Sequence, residues 1–361
     1  MAQGSKIEWT EATWNPIVGC SIVSPGCTNC YAMKMAARLD AMRQPRYAGL
    51  TKPSKGGAVW TGEMRLVEDA LTIPLRRKKP TTWFVNSMSD LFHESVPDAW
   101  IDRVFAVMAL CPQHTFQVLT KRSARMRAYM APGMRSARGR VGTVAHAMSC
   151  RFQCAGMPPA WPLPNVWLGV SAEDQRRADE RVPDLLATPA AVRFVSAEPL
   201  LGPIDFLSVE WPGLEGHRVD VLRKGFWSEP GAHPLTAKAA GAGEPKGWFT
   251  NHSDMPGRLD WIIVGGESGP EARPMHPAWA RSIRDQCAGA GVAFHFKQHG
   301  AWAPLQADGG EWPTDSETLI RLGCDGSRVP DGWPMQRVGK KAAGRLLDGV
   351  THDAMPLTPG A

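Results

Sequence analysis

The hydrophobic positions of this chain fall into short β-rich runs that alternate with longer amphipathic stretches. Six runs rich in β-branched, aromatic and aliphatic residues predict strands at 81–85, 114–120, 165–170, 191–195, 259–264 and 292–296. Stretches with helical periodicity lie between these runs or before the first of them, as at 67–77, 97–110, 124–130 and 277–288. Residues 43–65 are polar and interrupted by Gly and Pro, so we expect them to be irregular. Strands that alternate with helices indicate a parallel sheet. We therefore expect an α/β fold, namely a partial or closed (β/α) TIM-type barrel of about six to seven parallel strands.

An open doubly wound sheet is the alternative fold. No Gly-x-Gly-x-x-Gly turn follows any predicted strand, which argues against its dinucleotide-binding form. Residues 1–301 are expected to form the barrel, with insertions at about 131–164 and 208–258. The second insertion is rich in Gly, Pro and aromatic residues, and loops of this length often act as lids. Residues 302–361 are expected to pack on the barrel as a C-terminal extension, through Leu346 and Leu347 of a basic helix around 339–347.

Ionisable and polar side chains stand where the predicted strands end. These positions are Ser87 and Asp90, Lys121, Ser171 and Glu173, Glu198, Glu267, and Lys297. In β/α barrels the carboxyl ends of the strands carry the active site. A serine at such a position can also cap the next helix, but six strand ends of this kind predict a functional mouth.

Composition narrows the class of protein. A hydrophobic content of 43% and a charged content of 21% are ordinary for a globular chain. No apolar run is long enough for a membrane span, and the first residues lack an apolar signal region, so we expect a cytoplasmic protein without a membrane partner. The net charge of +6 permits a polyanionic partner without requiring one. Composition does not indicate an oligomeric state.

The cysteines suggest a metal centre rather than a disulfide framework. Cys20, Cys27 and Cys30 follow the spacing C-x6-C-x2-C in a loop broken by glycine and proline. Three thiolates are one fewer than a closed structural site uses, so a shared centre would keep one position open. A zinc site with a distant fourth ligand, or three unrelated thiols, is the alternative.

The other cysteines carry weaker signals. The scattered thiols Cys111, Cys287 and Cys324 are expected to be small buried side chains. His146, Cys150 and Cys154 share a helical face by their spacing of four. They lack a fourth ligand, so we interpret this spacing as incidental rather than as a second metal site.

The cysteine loop and its flanks resemble a known family. The stretches 7–10 and 14–32 are similar to a phage-associated three-cysteine-motif family that is radical-SAM-like, where SAM is S-adenosylmethionine. Further similar stretches lie at 86–92, 166–171, 264–269, 296–298 and 339–345, so the resemblance spans most of the chain. The usual radical SAM spacing is C-x3-C-x2-C, and here the first interval is three residues longer.

The resemblance implies a [4Fe–4S] cluster on Cys20, Cys27 and Cys30, with SAM on the fourth iron and an external one-electron donor. Reductive cleavage of SAM would yield a 5′-deoxyadenosyl radical that abstracts hydrogen from the substrate. Six strand-end residues are the candidate cofactor contacts: Ser87, Asp90, Ser171, Glu173, Glu198 and Glu267. Three residues are the candidate catalytic groups: Lys121, Glu198 and Lys297.

The substrate is indicated only by charge. Between Lys121 and Arg140 the chain carries seven cations and no acidic residue, a pattern that can neutralise phosphates or merely solvate a helix face. We expect a DNA, RNA or nucleotide substrate that is modified or repaired. A zinc- or cluster-containing nucleic-acid-binding protein without radical chemistry is the main alternative. A metal-dependent hydrolase is disfavoured because the chain has neither His-x-His nor His-Glu-x-x-His.

Overall fold

The chain forms two compact units. The computed structural model describes residues 5, 7–131, 136–152, 160–212, 218–223, 225–227, 248–250, 257–305 and 318–357. Unit 1 comprises Met1–Val170, Thr188–Arg193 and Thr358–Ala361, and unit 2 comprises Ser171–Ala187 and Phe194–Leu357. The chain therefore leaves unit 1 after Val170, returns at Thr188 and leaves again after Arg193. The expected boundary at residue 301 stays a prediction.

Strands and helices alternate through the first half of the described chain. In order these are β1 (Ala12–Trp14), β2 (Ile17–Val18), α1 (Tyr31–Ala41), β3 (Thr51–Ser54), β4 (Gly57–Trp60), β5 (Arg65–Leu66), α2 (Glu68–Leu71), β6 (Thr82–Val85), α3 (Asp98–Ala109), β7 (Thr115–Thr120), α4 (Ser123–Met130), α5 (Ala137–Phe152) and β8 (Val166–Ser171). Single 3-10 turns lie at Pro25–Cys27, Pro45–Tyr47 and Pro74–Arg76.

The second half continues the alternation and adds antiparallel strands. In order these are α6 (Gln175–Leu186), β9 (Val192–Ala197), β10 (Val209–Glu210), β11 (Arg218–Asp220), β12 (Gly225–Trp227), β13 (Trp248–Thr250), β14 (Trp261–Gly265), α7 (Pro277–Ala290), β15 (Ala293–Gln298), β16 (Trp302–Pro304), β17 (Leu319–Leu322), β18 (Trp333–Arg337) and α8 (Lys340–Ala343).

Seven of these strands form one parallel sheet in the order β1-β6-β7-β8-β9-β14-β15. The order follows the chain without reversal, whereas a doubly wound sheet reverses direction at a switch point. The predicted α/β class and strand number are confirmed, and the arrangement is consistent with the partial form of the barrel. Every residue of β8 and β14 is buried, which is why both read as continuous hydrophobic runs.

Three sequence predictions were wrong in detail. The helix expected from Val67 to Arg77 is only α2 followed by a 3-10 turn, because the ring of Pro74 cannot donate the next helical hydrogen bond. The segment 43–65, expected to be irregular, contains the hairpin β3–β4. The basic helix around 339–347 is reduced to α8; Leu347 beyond it is buried as expected, but Leu346 is exposed.

The two insertions are seen in part. The first contains α5, and the described parts of the second contain β10 to β13, which form a four-stranded antiparallel sheet. Most of the proposed lid lies outside the described residues. Within unit 2, β16, β17 and β18 form a separate three-stranded sheet. Among the helices of the described ranges, none has the length and apolar character that a membrane crossing requires.

A close backbone approach in unit 2 gives a test of the packing. A Cβ atom built at Gly266 would overlap the carbonyl oxygen of His299, which follows β15. We expect Gly266→Ala to lower the free energy of unfolding by about 1–3 kcal/mol, because the backbone must move apart. Gly139→Ala in α5 is the matched control, since a Cβ there has no neighbour within 4 Å. Urea denaturation checks both, and equal stability of the two variants would contradict this packing.

Candidate functional site

The cysteine loop of unit 1 leaves β2 at Gly19 and ends where α1 begins. The Gly19 N–H donates to the carbonyl oxygen of Met88, which ties the loop to the end of β6. Gly19 has a φ of +99°, and a Cβ there would overlap the carbonyl oxygen of Glu63, so only glycine fits. Cys27 closes a 3-10 turn, and Cys30 is the N-cap residue of α1. The loop is therefore short, anchored and fixed in direction at both ends.

The three thiols lie close enough to influence one another. Burial raises the pKa of Cys20 to about 12, and the charges of Asp90, Cys30 and Cys27 add to the rise. Burial also raises the pKa of Cys30, although the backbone N–H groups of Met33 and Ala32 partly offset the rise. Without a bound metal, both thiols are protonated at neutral pH.

Within the described ranges, no three His, Cys, Asp or Glu side chains converge around a single metal ion. A four-iron cluster distributes its three thiolates over three different irons. It therefore does not require the thiols to meet at one point.

Arg122 is the buried cation of this site. Its side chain is 5% exposed and donates to Asp90 Oδ2 at 3.1 Å, to Ser21 Oγ at 2.7 Å and to Glu94 Oε2 at 3.2 Å. Its Nη1 also lies 3.7 Å from the Sγ atom of Cys20. Burial lowers the pKa of Arg122, but Asp90, Cys20 and Glu94 together raise it more. A permanent positive charge therefore stands beside the first thiol.

Donors of the protein itself occupy the acceptor positions of Asp90, a predicted cofactor contact. Oδ1 accepts from Thr120 Oγ1 at 2.6 Å and from the Phe92 N–H at 3.0 Å. Oδ2 accepts from the Lys121 N–H at 2.9 Å and from Arg122. An ionised carboxylate offers about four acceptor positions, and these four donors occupy them. Asp90 therefore positions Arg122 and joins the ends of β6 and β7.

A buried histidine completes the network. The ring Nδ1 of His93 accepts from the Ser95 N–H at 3.1 Å, so the neutral ring carries its hydrogen on Nε2 and donates it to Ser21 Oγ at 2.8 Å. Burial, followed by the charge of Arg122, lowers the pKa of His93, so the ring is neutral at neutral pH. Ser21 Oγ thus accepts from both His93 and Arg122, which fixes the residue next to Cys20.

The structure brings together several predicted residues of unit 1. The charge of Lys121 lowers the pKa of Cys30 slightly, so its ammonium lies within electrostatic reach of the third thiol. Ser87 donates to Asn15 Oδ1 at 3.2 Å at the end of β6. In the sequence, Arg122 stands only as one member of a cationic run, and no motif points to Ser21 or His93. The available signal was two opposite charges, Asp90 and Arg122, just beyond two successive strands.

The predicted carboxylates of unit 2 each pair with a cation. Glu173 lies 3.1 Å from Arg181 with both side chains buried, and Arg181 also donates to the carbonyl oxygen of Ser171. Glu267 accepts from the side chain of Arg273 at 2.7 and 2.9 Å. These ion pairs satisfy charges that would otherwise be buried alone, and they act first as structural contacts.

Glu198, which pairs with Lys297, is the most exposed of the three predicted carboxylates of unit 2. The Lys297 Nζ donates to Glu198 Oε1 at 2.7 Å, and the two side chains are 13% and 19% exposed for Lys297 and Glu198. The carboxylate packs against Gly265, where a Cβ would press on it. A lysine ammonium and a carboxylate both retain hydrogen-bonding capacity beyond this single contact.

Neighbouring carboxylates neutralise part of the cationic run between Lys121 and Arg140. Arg125 pairs with Asp98, and Arg140 pairs with Asp102 and stacks on Tyr129. Arg135 lies outside the described residues, and phosphate binding by this run stays a prediction.

Cys111 and Cys287 are buried as expected, but Cys324 is exposed, so that prediction was wrong. His146 and Cys150 are both exposed on α5, and Cys154 lies outside the described residues.

Unit 1 also contains a cleft of about 790 Å³ on its helical side. Its walls come from α2, α3 and α5 and combine apolar side chains with the ion pair of Glu68 and Arg103. None of the predicted site residues lines this cleft.

The buried pair in unit 2 gives a second test. Glu173→Gln leaves the charge of Arg181 without a counter-charge in a buried position, so we expect a loss of about 3 kcal/mol in the free energy of unfolding. The control is Glu180→Gln on α6, the helix that carries Arg181, where the ion pairs with Arg176 and Arg177 are at the surface and the expected loss is below about 1 kcal/mol. Denaturant midpoints of both variants check this, and similar losses would contradict the structural role of Glu173.

Comparisons with known proteins address the family but not the activity. A search of curated proteins found no match, and a search of solved structures found none either. The resemblance to the three-cysteine radical-SAM-like family stays a prediction. The sequence profile described as "Protein of unknown function (DUF5131)" matches residues 4–356. Because the match covers nearly the whole chain, this protein belongs to the DUF5131 family.

Proposed function

We propose that this protein is a radical SAM-type enzyme that modifies or repairs a nucleic acid or nucleotide. One observation carries the proposal: three mutually interacting thiols share an anchored loop, with a buried arginine beside the first of them. Such a loop can supply three ligands to a [4Fe–4S] cluster and leave one iron open. The proposal includes a reducing cytoplasmic location, in which thiols persist.

The residues present fit such a cluster chemically. Thiolates are the ligands that iron–sulfur clusters use, and residues 20–30 contain no His, Asp or Glu that would compete with them for the metal. The high pKa of Cys20 means that cluster binding must displace its proton, and the charge of Arg122 offsets the negative charge that results. The N–H groups at the start of α1 do the same for Cys30.

The chain's own residues then have separate tasks. When bound, the cluster would deliver an electron from an external donor to SAM and so generate the 5′-deoxyadenosyl radical. Arg122 and the α1 N-terminus stabilise the added negative charge, and His93 and Ser21 hold the loop in place. Lys121, close to Cys30, is the natural partner for the carboxylate of SAM.

The polar groups of unit 2 contribute unequally to the proposal. Glu198 and Lys297 keep their assignment as catalytic groups, and Glu198 also as a cofactor contact, because the pair is partly exposed and retains hydrogen-bonding capacity. Glu173 and Glu267 are already neutralised by arginines, so their role toward SAM, and that of the buried Ser171, stays a prediction.

The cluster assignment is tested by anaerobic reconstitution. The purified chain is expected to bind about four irons and to cleave SAM when a reductant is added. Alanine at Cys20, Cys27 or Cys30 should remove the iron absorbance while the far-UV circular dichroism stays unchanged. Cys324→Ala is the control, since this thiol is exposed in unit 2 and should be dispensable. A colourless protein with one tightly bound zinc would instead support a nucleic-acid-binding protein without radical chemistry.

The role of Arg122 is tested by the reduction potential of the reconstituted cluster. Removing the positive charge in Arg122→Gln disfavours the more negative reduced state, so the potential should fall by roughly tens of millivolts. Arg122→Lys keeps a charge and should restore much of the potential even if the geometry is imperfect. Arg125→Gln is the control because its partners are Val96 and Asp98. An unchanged potential in Arg122→Gln with full iron content would contradict the assignment.

A further inference from the structure

The segment that follows the cysteine loop is unusually basic. Between residues 31 and 67 seven cations stand against two acidic residues, Asp40 and Glu63. The cations are Lys34, Arg38, Arg43, Arg46, Lys52, Lys55 and Arg65. This stretch includes α1 and the hairpin β3–β4, and no sequence motif within it indicates a function.

Helix α1 and the hairpin β3–β4 pack on the same hydrophobic core. Met33 and Ala36 on the inner face of α1 are buried in the same core cluster as Tyr47, Leu50 and Trp60. Lys34 is half-buried, whereas Arg38 on α1, Lys52 on β3, Lys55 in the hairpin turn and Arg43 just after α1 are exposed. Because this core fixes the two elements against each other, the charges form a surface of constant geometry rather than a flexible tail.

Two of the seven cations have structural partners. Arg65 donates to Glu63 and to the carbonyl oxygens of Pro45 and Ala48, and Arg46 lies 3.5 Å from Asp69. The other five cations make no ion pair within the described part of the chain: Lys34, Arg38, Arg43, Lys52 and Lys55. This surface differs from the run around Arg122, Arg125 and Arg140, whose charges are neutralised by neighbouring carboxylates.

An exposed aromatic ring lies at the start of α1, directly after the last cysteine of the loop. Tyr31, the first residue of α1 and the neighbour of Cys30, is 53% exposed. Lys34 and Arg38 follow along the same helix, about 6 and 12 Å beyond Cys30 at the usual rise of 1.5 Å per residue. An exposed ring followed by a row of cations is the arrangement with which proteins hold a single strand, since the base stacks and the phosphates pair.

We infer that this surface, comprising Tyr31 and the five unpaired cations, binds a single-stranded nucleic acid and leads it to the cysteine loop. The inference rests on the proposed function and names its substrate class. A duplex keeps its bases stacked on one another and offers none to Tyr31, so the ring favours a single strand over a duplex. Five phosphate contacts would make the affinity strongly dependent on salt.

The test measures binding of a fluorescent 20-nucleotide single strand, as DNA and as RNA, to the full chain over a salt series. We expect the fourfold variant Lys34→Gln, Arg38→Gln, Lys52→Gln and Lys55→Gln to lose about tenfold or more in affinity at low salt. The slope of log affinity against log salt should also fall by roughly 0.7 for each phosphate that the variant no longer neutralises. The matched control changes Lys78, Lys79, Lys340 and Lys341 to Gln, which removes the same charge from other exposed positions.

The ring is tested separately. Tyr31→Ala should weaken single-strand binding roughly tenfold without changing the salt slope, and Tyr31→Phe should restore it, because stacking needs the ring and not the hydroxyl. Equal losses in the fourfold variant and its control would mean that only net charge matters and would overturn the inference. Tighter binding to a duplex of the same sequence, or to phosphatidylserine vesicles with no binding to the strand, would also overturn it.

Iron content, measured on the same samples, separates this inference from the proposed function. Strand binding that depends on the surface in a protein that never takes up iron would leave the inference standing and remove the enzyme proposal. A protein that takes up the cluster but shows no salt-sensitive strand binding would leave the enzyme proposal standing and remove the inference. If the fourfold variant fails to fold, the double variants Lys34→Gln with Arg38→Gln and Lys52→Gln with Lys55→Gln give half the expected change in slope.

Discussion

The cost of burying a positive charge governs the candidate site of unit 1. Arg122 is removed from water, so it is stable only where acceptors surround it. Those acceptors come from two places: Asp90 and Glu94 after β6, and Ser21 with the sulfur of Cys20 in the cysteine loop, while Arg122 itself follows β7. One side chain therefore ties the cysteine loop to the ends of two neighbouring strands. Loss of a single acceptor would leave a buried charge undercompensated and loosen all three.

The cost of burying a charge also governs unit 2, where the charges pair with each other and do not hold a loop in place. Glu173 and Glu267 each meet an arginine of their own unit, so their charges are neutralised internally. Glu198 and Lys297 neutralise each other but keep partial contact with solvent. Ionisable residues at strand ends are thus of two kinds: those whose charge is neutralised inside the protein and those that remain available to a ligand. Burial and the number of occupied acceptor positions distinguish the two kinds. Position at a strand end alone does not identify a functional group.

Features that depend on residues close in the sequence could be predicted, whereas contacts between residues far apart in the sequence could not. β8 and β14 were predictable because both faces are buried and every position is therefore apolar. The pairing of Asp90 with Arg122 spans 32 residues and exists only because β6 and β7 are neighbours in the sheet, which periodicity does not state. Cys324 was expected inside because cysteines are usually buried, but it lies in a turn between β17 and β18. The break after α2 was visible in Pro74 and was missed by counting apolar positions alone.

The path of the chain between the two units affects the order in which they can form during synthesis. Thr188–Arg193 belongs to unit 1 but follows α6, which belongs to unit 2. The described part of unit 1 is therefore not one uninterrupted N-terminal stretch, and it is complete only once the nascent chain has reached Arg193. At the usual translation rate, roughly 8–30 seconds separate the synthesis of Cys30 from that of Arg193. During this interval the three cysteines of the loop are already synthesised, while the unit that contains them is still incomplete.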